Sequence, residues 1–318
     1  MKKPLIVLTG PTAVGKTETS IQLAKAVGGE IISADSMQVY RHMDIGTAKI
    51  KPEQMQGIPH YLVDEFEPDE VFNVMIFQKK VKAYMSDIYA RHKIPVLVGG
   101  TGFYIQAVLY DIAFTEDQKD ADFRKEMQQF VKDQGEIKLH QKLCQADPES
   151  AAAIHPNNIK RVIRALEYYH FTGEKFSVHN ARERQRSSPY NFLYIVLSMD
   201  REKLYKRIDL RVDQMMEAGL LAEVRGLLAS GYSRELVSMQ GLGYKELAAA
   251  LAEECTVEDA IYRIKRDTRH FAKRQMTWFR REKQVTMLDK DSFSEADDLV
   301  SEIVALARER KILSEENK

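Results

Sequence analysis

Residues 10–17 read Gly-Pro-Thr-Ala-Val-Gly-Lys-Thr and fill the pattern GxxxxGK[ST] completely. The run Leu5 to Thr9 before it is short and apolar, and the stretch after it carries helical spacing through Ile21, Leu23, Ala24 and Val27. Strand, glycine-rich turn, helix is the context in which this pattern cradles phosphate. Backbone N–H groups of Gly10, Pro11's successors Thr12, Ala13 and Val14, and Gly15 line such a loop, Lys16 adds a point charge, and Thr17 offers a hydroxyl to Mg²⁺. An ordinary glycine-rich turn is the bland alternative, and the full motif in its full context argues against it.

The loop also constrains the fold. Glu30 to Ala34 and Pro95 to Val98 are further short strands, and Phe72 to His92 between them has helical spacing. Strands alternating with helices predict an α/β domain with a parallel sheet and ligands at the carboxyl ends of the strands. From about Thr115 to Ser188 the sequence is charged and helix-favouring, and Tyr190 to Ser198 then returns as a buried strand. The expected architecture is a P-loop NTPase-like three-layer sheet built from 1–114 and 189–318, with helices at the C-terminal end, interrupted by a helical insertion at 115–188. The last residues, SEENK, are expected to fray.

Composition excludes several classes. No run approaches the roughly 18 apolar residues of a membrane span, and the apolar stretch before Gly10 is too short for a secretion signal, so a cytoplasmic location is expected. Cys144 and Cys255 lack metal-ligand or disulfide spacing. Lys+Arg and Asp+Glu both number 47. The balance hides a basic block: residues 261–283 hold nine Lys/Arg against two acidic residues, a net of +7.

Asp35 ends the second strand and opens Asp35-Ser36-Met37-Gln38. Alone, such an Asp is more often a helix cap; beside Ser36 and Gln38, whose polar groups suit a base edge, it is also a candidate for chemistry opposite the phosphate loop. Gly99-Gly100-Thr101-Gly102 is either a plain turn or a place of close ligand approach. No acid ends the Pro95 strand, and Asp200 is a conceivable substitute. Arg207 and Arg211, four apart, share one helical face, for surface ion pairs or for neutralising a diphosphate. Basic segments at Lys160, Arg161 and Arg164, around Lys245, and from Arg269 to Arg281 with interleaved Phe271, Trp278 and Phe279 are either solvated faces or a surface for a large nucleic acid.

Together these segments resemble the bacterial tRNA dimethylallyltransferases, also called tRNA isopentenyltransferases. The resemblance is carried by GPTAVGKT at 10–17, DSMQVYRHMDIGTAK at 35–49, GGTGFY at 99–104, KRVIRALE at 160–167, RIDLRVDQMMEAGL at 207–220, GLGYKE at 241–246 and AKRQMTWFR at 272–280. It implies Mg²⁺-dependent transfer of a dimethylallyl group from its diphosphate to the exocyclic amine of the adenosine 3′ of a tRNA anticodon. By resemblance, residues 10–17 with Arg207 and Arg211 hold the diphosphate, Thr17 the metal, and Asp35, Thr17, Lys16 and Arg211 are catalytic. The implied tRNA contacts are Asp35, Ser36, Met37, Gln38, Thr101, Arg124, Lys160, Arg161, Arg164, Gly241, Gly243, Tyr244, Lys245, Lys273, Arg274 and Gln275, on a chain acting as a monomer. The rivals are a small-molecule or nucleotide kinase, and a non-catalytic RNA-binding protein with its P-loop as a switch.

Overall fold

The computed structural model describes residues 2–114 and 121–313; the expected start of the insertion at 115 and the tail at 314–318 lie outside the described residues. The chain runs β1 Lys3–Thr9, α1 Lys16–Val27, β2 Gly29–Ser33, β3 His60–Tyr61, α2 Val74–Ala90, β4 Ile94–Gly99 and α3 Gly102–Leu109. Helices α4 Ala121–Gln134, α5 Glu136–Ala146, α6 Pro148–Ala153, α7 Ile159–Thr172 and α8 Phe176–Arg184 follow. Then come β5 Tyr190–Ser198, α9 Arg201–Glu217, α10 Leu220–Ala229, α11 Tyr244–Leu251, α12 Val257–Phe279, β6 Val285–Asp289 and α13 Ala296–Glu309. Two compact units result, 1–109 with 189–318, and 110–188.

In the first unit the described strands form one parallel sheet in the order β3-β2-β4-β1-β5-β6. β1 and β5 are buried almost throughout, as strands covered on both faces must be, and both read as unbroken apolar runs. On one face Ile6, Leu8, Ile31, Val96, Leu193 and Ile195 pack against Leu23, Ala24 and Val27 of α1 and Leu299, Ile303 and Ala307 of α13. α2 and α3 accompany β4. The chain fills the sheet on one side of β1 and then, from β5 onward, on the other, so the carboxyl end of β1 is a topological switch point, the place where such sheets bind ligands.

β6 departs from the sequence-based expectation, which made everything after Ser198 helical. Its five residues are only half-buried at the sheet edge, so no apolar run announces them. Asp200 also resolves: it is the N-cap of α9, accepting from Glu202 N at 2.9 Å and Lys203 N at 3.0 Å, and does not serve as a substitute for the missing strand-end acid.

The second unit has its own core, in which Leu139 and Leu143 of α5 meet Val162 and Leu166 of α7. Fully buried Asp147 knots it together, accepting hydrogen bonds from Ser150 N at the start of α6 and from Ser177 N and Oγ at 2.8 and 2.7 Å. Among the described residues no helix is long and apolar enough to cross a membrane.

Glu30 is the buried charge of the sheet domain. It sits in β2 at 2% exposure and accepts from Arg91 Nη2 at 2.6 Å, Tyr61 Oη at 2.7 Å and Lys93 at 3.1 Å. Burial opposes its ionisation, but the hydrogen bonds from Arg91, Tyr61 and Lys93 outweigh that and bring its pKa down to about 2. A carboxyl depressed by folding contributes stability above its ordinary pKa, and that contribution is lost as pH falls through the folded value. We expect urea midpoints of the native chain to drop between pH 4.5 and 2, and Glu30→Gln to be less stable at neutral pH but to flatten that drop.

Candidate active site

β1 ends at Thr9, whose hydroxyl donates to Gly99 O at 2.6 Å across to β4. The next residue passes so close to β5 that a Cβ at Gly10 would lie 2.5 Å from Leu197 O, and its φ is 147°. Gly15, with φ 96°, caps α1 in the left-handed conformation, with no side chain closing the helix N-terminus. The first-turn N–H groups of α1 and the positive end of its dipole therefore point out of the loop, which is what an anion requires. Lys16 Nζ donates to Gly10 O at 3.0 Å and Pro11 O at 2.9 Å, folding the amine over the loop.

The loop after β2 lies alongside. A Cβ at Gly99 would sit 2.3 Å from the Ala34 carbonyl, so the two chains touch backbone to backbone. Thr101 N donates to Ala34 O at 3.2 Å, and Thr101 Oγ1 accepts from Ser36 N at 3.3 Å. Asp35 is thereby held between them, one carboxylate oxygen accepting Met37 N at 2.9 Å in an Asx turn. It caps no helix.

α9 brings two arginines to this place. Arg207 Nε donates to Ala13 O at 2.9 Å. On the opposite side of the same helix Asp209 pairs with Arg269, and Asp213 with Lys265 at 2.6 Å, so α12 anchors α9 while Arg207 and Arg211 turn towards the loop. One field links the group. Burial lowers the Lys16 pKa to about 8, with Asp35 opposing and Arg211 adding to the shift. Burial likewise pushes Arg211 down, Asp35 opposing and Arg207 adding. Crowded, desolvated cations facing a helix N-terminus make a site for a polyanion.

A divalent cation fits on one condition. Thr17 is exposed on the first turn of α1, and among the described residues no group of three or more His, Cys, Asp or Glu could hold a metal by itself. Mg²⁺ keeps most of its shell as water and phosphate oxygen, so a single protein hydroxyl beside a diphosphate suits it.

Several residues expected to meet tRNA have internal partners. Gln275 is buried on α12, its Oε1 accepting Thr12 N at 2.9 Å and its Nε2 donating to Gly100 O at 3.0 Å. It ties the phosphate loop to the loop after β4. Gln38 Oε1 accepts from Ser33 Oγ while Nε2 donates to Thr47 O and Ala48 O. Tyr244 is 1% exposed, its ring against Gly46 and its hydroxyl donating to Glu223 at 2.6 Å. Glu223, absent from the sequence-based reading, also accepts the backbone N–H groups of Asp44, Ile45 and Gly46. Buried Gly243 takes φ 94° to start α11, and Gly241 packs on Met37, so the segment 241–246 props the loop that carries Asp35. Ser36 and Met37 are partly exposed beside it, and Lys245, Lys273 and Arg274 are exposed.

In the second unit Arg124 grips buried Glu167 with Nε at 2.6 Å and Nη2 at 2.8 Å, and Arg164 adds a contact at 2.9 Å. Both guanidinium groups thus donate to that carboxylate. Lys160 and Arg161 beside them are exposed.

A family model described as IPP transferase matches residues 38–282. The chain is 58% identical over 311 residues to a tRNA dimethylallyltransferase of Lachnoclostridium phytofermentans, covering 98% of this chain and 99% of that one. It is 51% identical over 288 residues to the tRNA dimethylallyltransferase of Bacillus subtilis, covering 91% of each. The crystal structure of the full-length tRNA isopentenylpyrophosphate transferase from Bacillus halodurans matches with a TM-score of 0.73 at 45% identity, covering 98% of both chains. A eukaryotic dimethylallyltransferase acting on tRNA matches with a TM-score of 0.82 at 30% identity, over 99% of this chain and 82% of that one. These likenesses give the kinase alternative no support. The chain belongs to the IPP transferase family, that of the tRNA dimethylallyltransferases.

Proposed function

We propose that the protein transfers a dimethylallyl group from dimethylallyl diphosphate to the exocyclic amine of the adenosine 3′-adjacent to a tRNA anticodon. The observation that supports this reading is that Asp35, past the end of β2, and the phosphate loop, past the end of β1, both meet the end of β4 between them, through Ala34 on Gly99 and through Thr9 on Gly99, with Lys16 and Arg211 in the field of the Asp35 carboxylate. A carboxylate beside a polyanion cradle suits a reaction in which an anion departs and a proton must be collected.

The reaction breaks the bond between the allylic carbon and the diphosphate oxygen and forms a carbon–nitrogen bond. Lys16, Arg207, Arg211 and the α1 N-terminus take up the charge that builds on the departing diphosphate. Thr17 would hold Mg²⁺ beside the diphosphate, which when bound would supply further charge stabilisation. The adenine amine is a weak nucleophile and a very weak acid, so its proton leaves with or after carbon–nitrogen bond formation, when the nitrogen is cationic. Asp35 receives that proton through the oxygen not used by Met37 N. The base must leave its stack to reach the cleft. Exposed cations on each unit, Lys245, Lys273 and Arg274 on one and Lys160 and Arg161 on the other, supply phosphate contacts to the anticodon stem-loop. One stem-loop requires one copy of the chain, so the protein acts as a monomer, in the cytoplasm.

Asp35→Asn should lower the transfer of labelled prenyl groups to unmodified tRNA by roughly 10²-fold or more, while pyrophosphate and tRNA binding persist; near-native turnover removes Asp35 as the base. With Lys16 depressed to about 8, diphosphate binding restores its charge. Calorimetry near pH 8.5 in buffers of different ionisation enthalpy should therefore show proton uptake on pyrophosphate binding, and Lys16→Met should lose both the uptake and most of the affinity. Gln275→Leu leaves Thr12 N–H and Gly100 C=O without their partner, at a cost of about 1–3 kcal/mol. We expect its turnover to fall about tenfold or more with tRNA affinity little changed; a selective loss of tRNA binding would return Gln275 to the RNA surface.

A further inference from the structure

Lys290 lies outside every motif of the sequence, yet it reaches the phosphate loop. β6 runs parallel to β5, so its carboxyl end opens on the same edge of the sheet as those of β1, β2 and β4. Lys290 is the first residue past that end. Its side chain extends over the loop: a Cβ built on Gly15 would lie 2.7 Å from Lys290 Nζ and 3.9 Å from Arg207 Nη2. Gly15 is the N-cap of α1, so the ammonium stands at the positive end of the helix dipole with a guanidinium beside it.

That is an unfavourable place for a cation on its own. Burial lowers the Lys290 pKa and Arg207 pushes it the same way, with Glu18 opposing. An ordinary surface lysine would settle into an ion pair, as Lys203 does with Asp291, one residue further along, at 2.9 Å. Among the described residues no carboxylate comes within ion-pair distance of Lys290, and Glu18 acts on it only from beyond that range. An anion lying between Lys290, Arg207 and the Gly15 turn turns this repulsion into attraction.

Building on the diphosphate reading of the loop, we propose that Lys290 is a further ligand of the leaving diphosphate, closing on it at the N-terminus of α1. It adds to Lys16, Arg207 and Arg211 a cation drawn from the end of the edge strand β6. Its contribution falls on the diphosphate and not on tRNA, because its reach is to Gly15.

The test is titration of inorganic pyrophosphate with Mg²⁺ into the full chain and into Lys290→Met and Lys290→Arg, together with steady-state kinetics at saturating tRNA. Lys290→Met, which keeps the apolar stem and drops the charge, should raise the pyrophosphate Kd and the KM for dimethylallyl diphosphate by roughly 3- to 10-fold. The tRNA Kd should stay at the native value, and Lys290→Arg should recover most of the loss. A purely structural role would instead lower the melting temperature without this KM effect or its rescue by arginine. Equal pyrophosphate binding by native protein and Lys290→Met overturns the role of Lys290 alone, and a native chain that binds no pyrophosphate overturns the diphosphate reading beneath it.

Discussion

At the carboxyl edge of the sheet the loops after β1 and β4 each run with backbone against a neighbouring segment's backbone, and the geometry of the site depends on that closeness. Neighbouring parallel strands stand about 4.8 Å apart, so loops that leave adjacent strands on one edge have room for one another only where side chains are missing. A Cβ at Gly10 would run into Leu197 O and one at Gly99 into the Ala34 carbonyl, both backbone atoms, and the Gln275 side-chain amide packs against Gly100. The glycines therefore fix how near Asp35 stands to the phosphate loop. They do so without flexibility, because Thr9 Oγ1, Thr101 and Gln275 hydrogen-bond the same strands of chain to one another.

A second ring of contacts stiffens the loop that carries Asp35 from behind. Glu223 collects three consecutive backbone N–H groups at 44–46 and the Tyr244 hydroxyl. Burial and the adjacent Glu223 hold the Tyr244 hydroxyl protonated far above its ordinary range, which keeps it a donor. Buried Lys49 joins Asp44 and Asp64 beneath the same loop at 2.6 and 2.5 Å. This much polar scaffolding under one turn suits a carboxylate that must meet a substrate atom at hydrogen-bond distance, since a general base is useful only within that reach.

The phosphate loop and the central strands were legible from sequence because both announce themselves locally, one through fixed spacing and the other through unbroken apolar runs. The loop at Asp35 was legible only from its company. What could not be read was direction. Gln38, Tyr244 and Gln275 are polar or aromatic residues in segments that look like RNA readers; the internal partners of Tyr244 and Gln275 lie in remote parts of the chain, as Thr12 does for Gln275, and those of Gln38, at Ser33, Thr47 and Ala48, are near but follow no helical spacing. Arg164 is the exception: Glu167 stands three residues on along α7, a spacing that marks an ion pair in the sequence itself. The basic block on α12 divides in the same way, with Lys265 and Arg269 turned inward to the carboxylates of α9 and Lys273 and Arg274 left outside. β6 was missed because an edge strand buries too little to leave an apolar signature, and Lys290 went unseen with it.

The electrostatics of the edge favour a departing anion over a resident one. Lys16, Arg211 and Lys290 are all depressed by burial and by neighbouring cations, so each gains most when a polyanion enters and neutralises the repulsion among them. That gain grows with the charge concentrated on the ligand. In the proposed reaction the ester diphosphate becomes free diphosphate as the allylic carbon leaves, and negative charge accumulates on the oxygen facing these groups. The cluster then binds the transition state more tightly than the bound ester, which is the condition for catalysis. The same cations would repel the positive charge forming on the allylic fragment. Asp35 is the carboxylate that shares the field of Lys16 and Arg211, and in the proposed reaction it would lower that cost on the side where the amine approaches before accepting a proton.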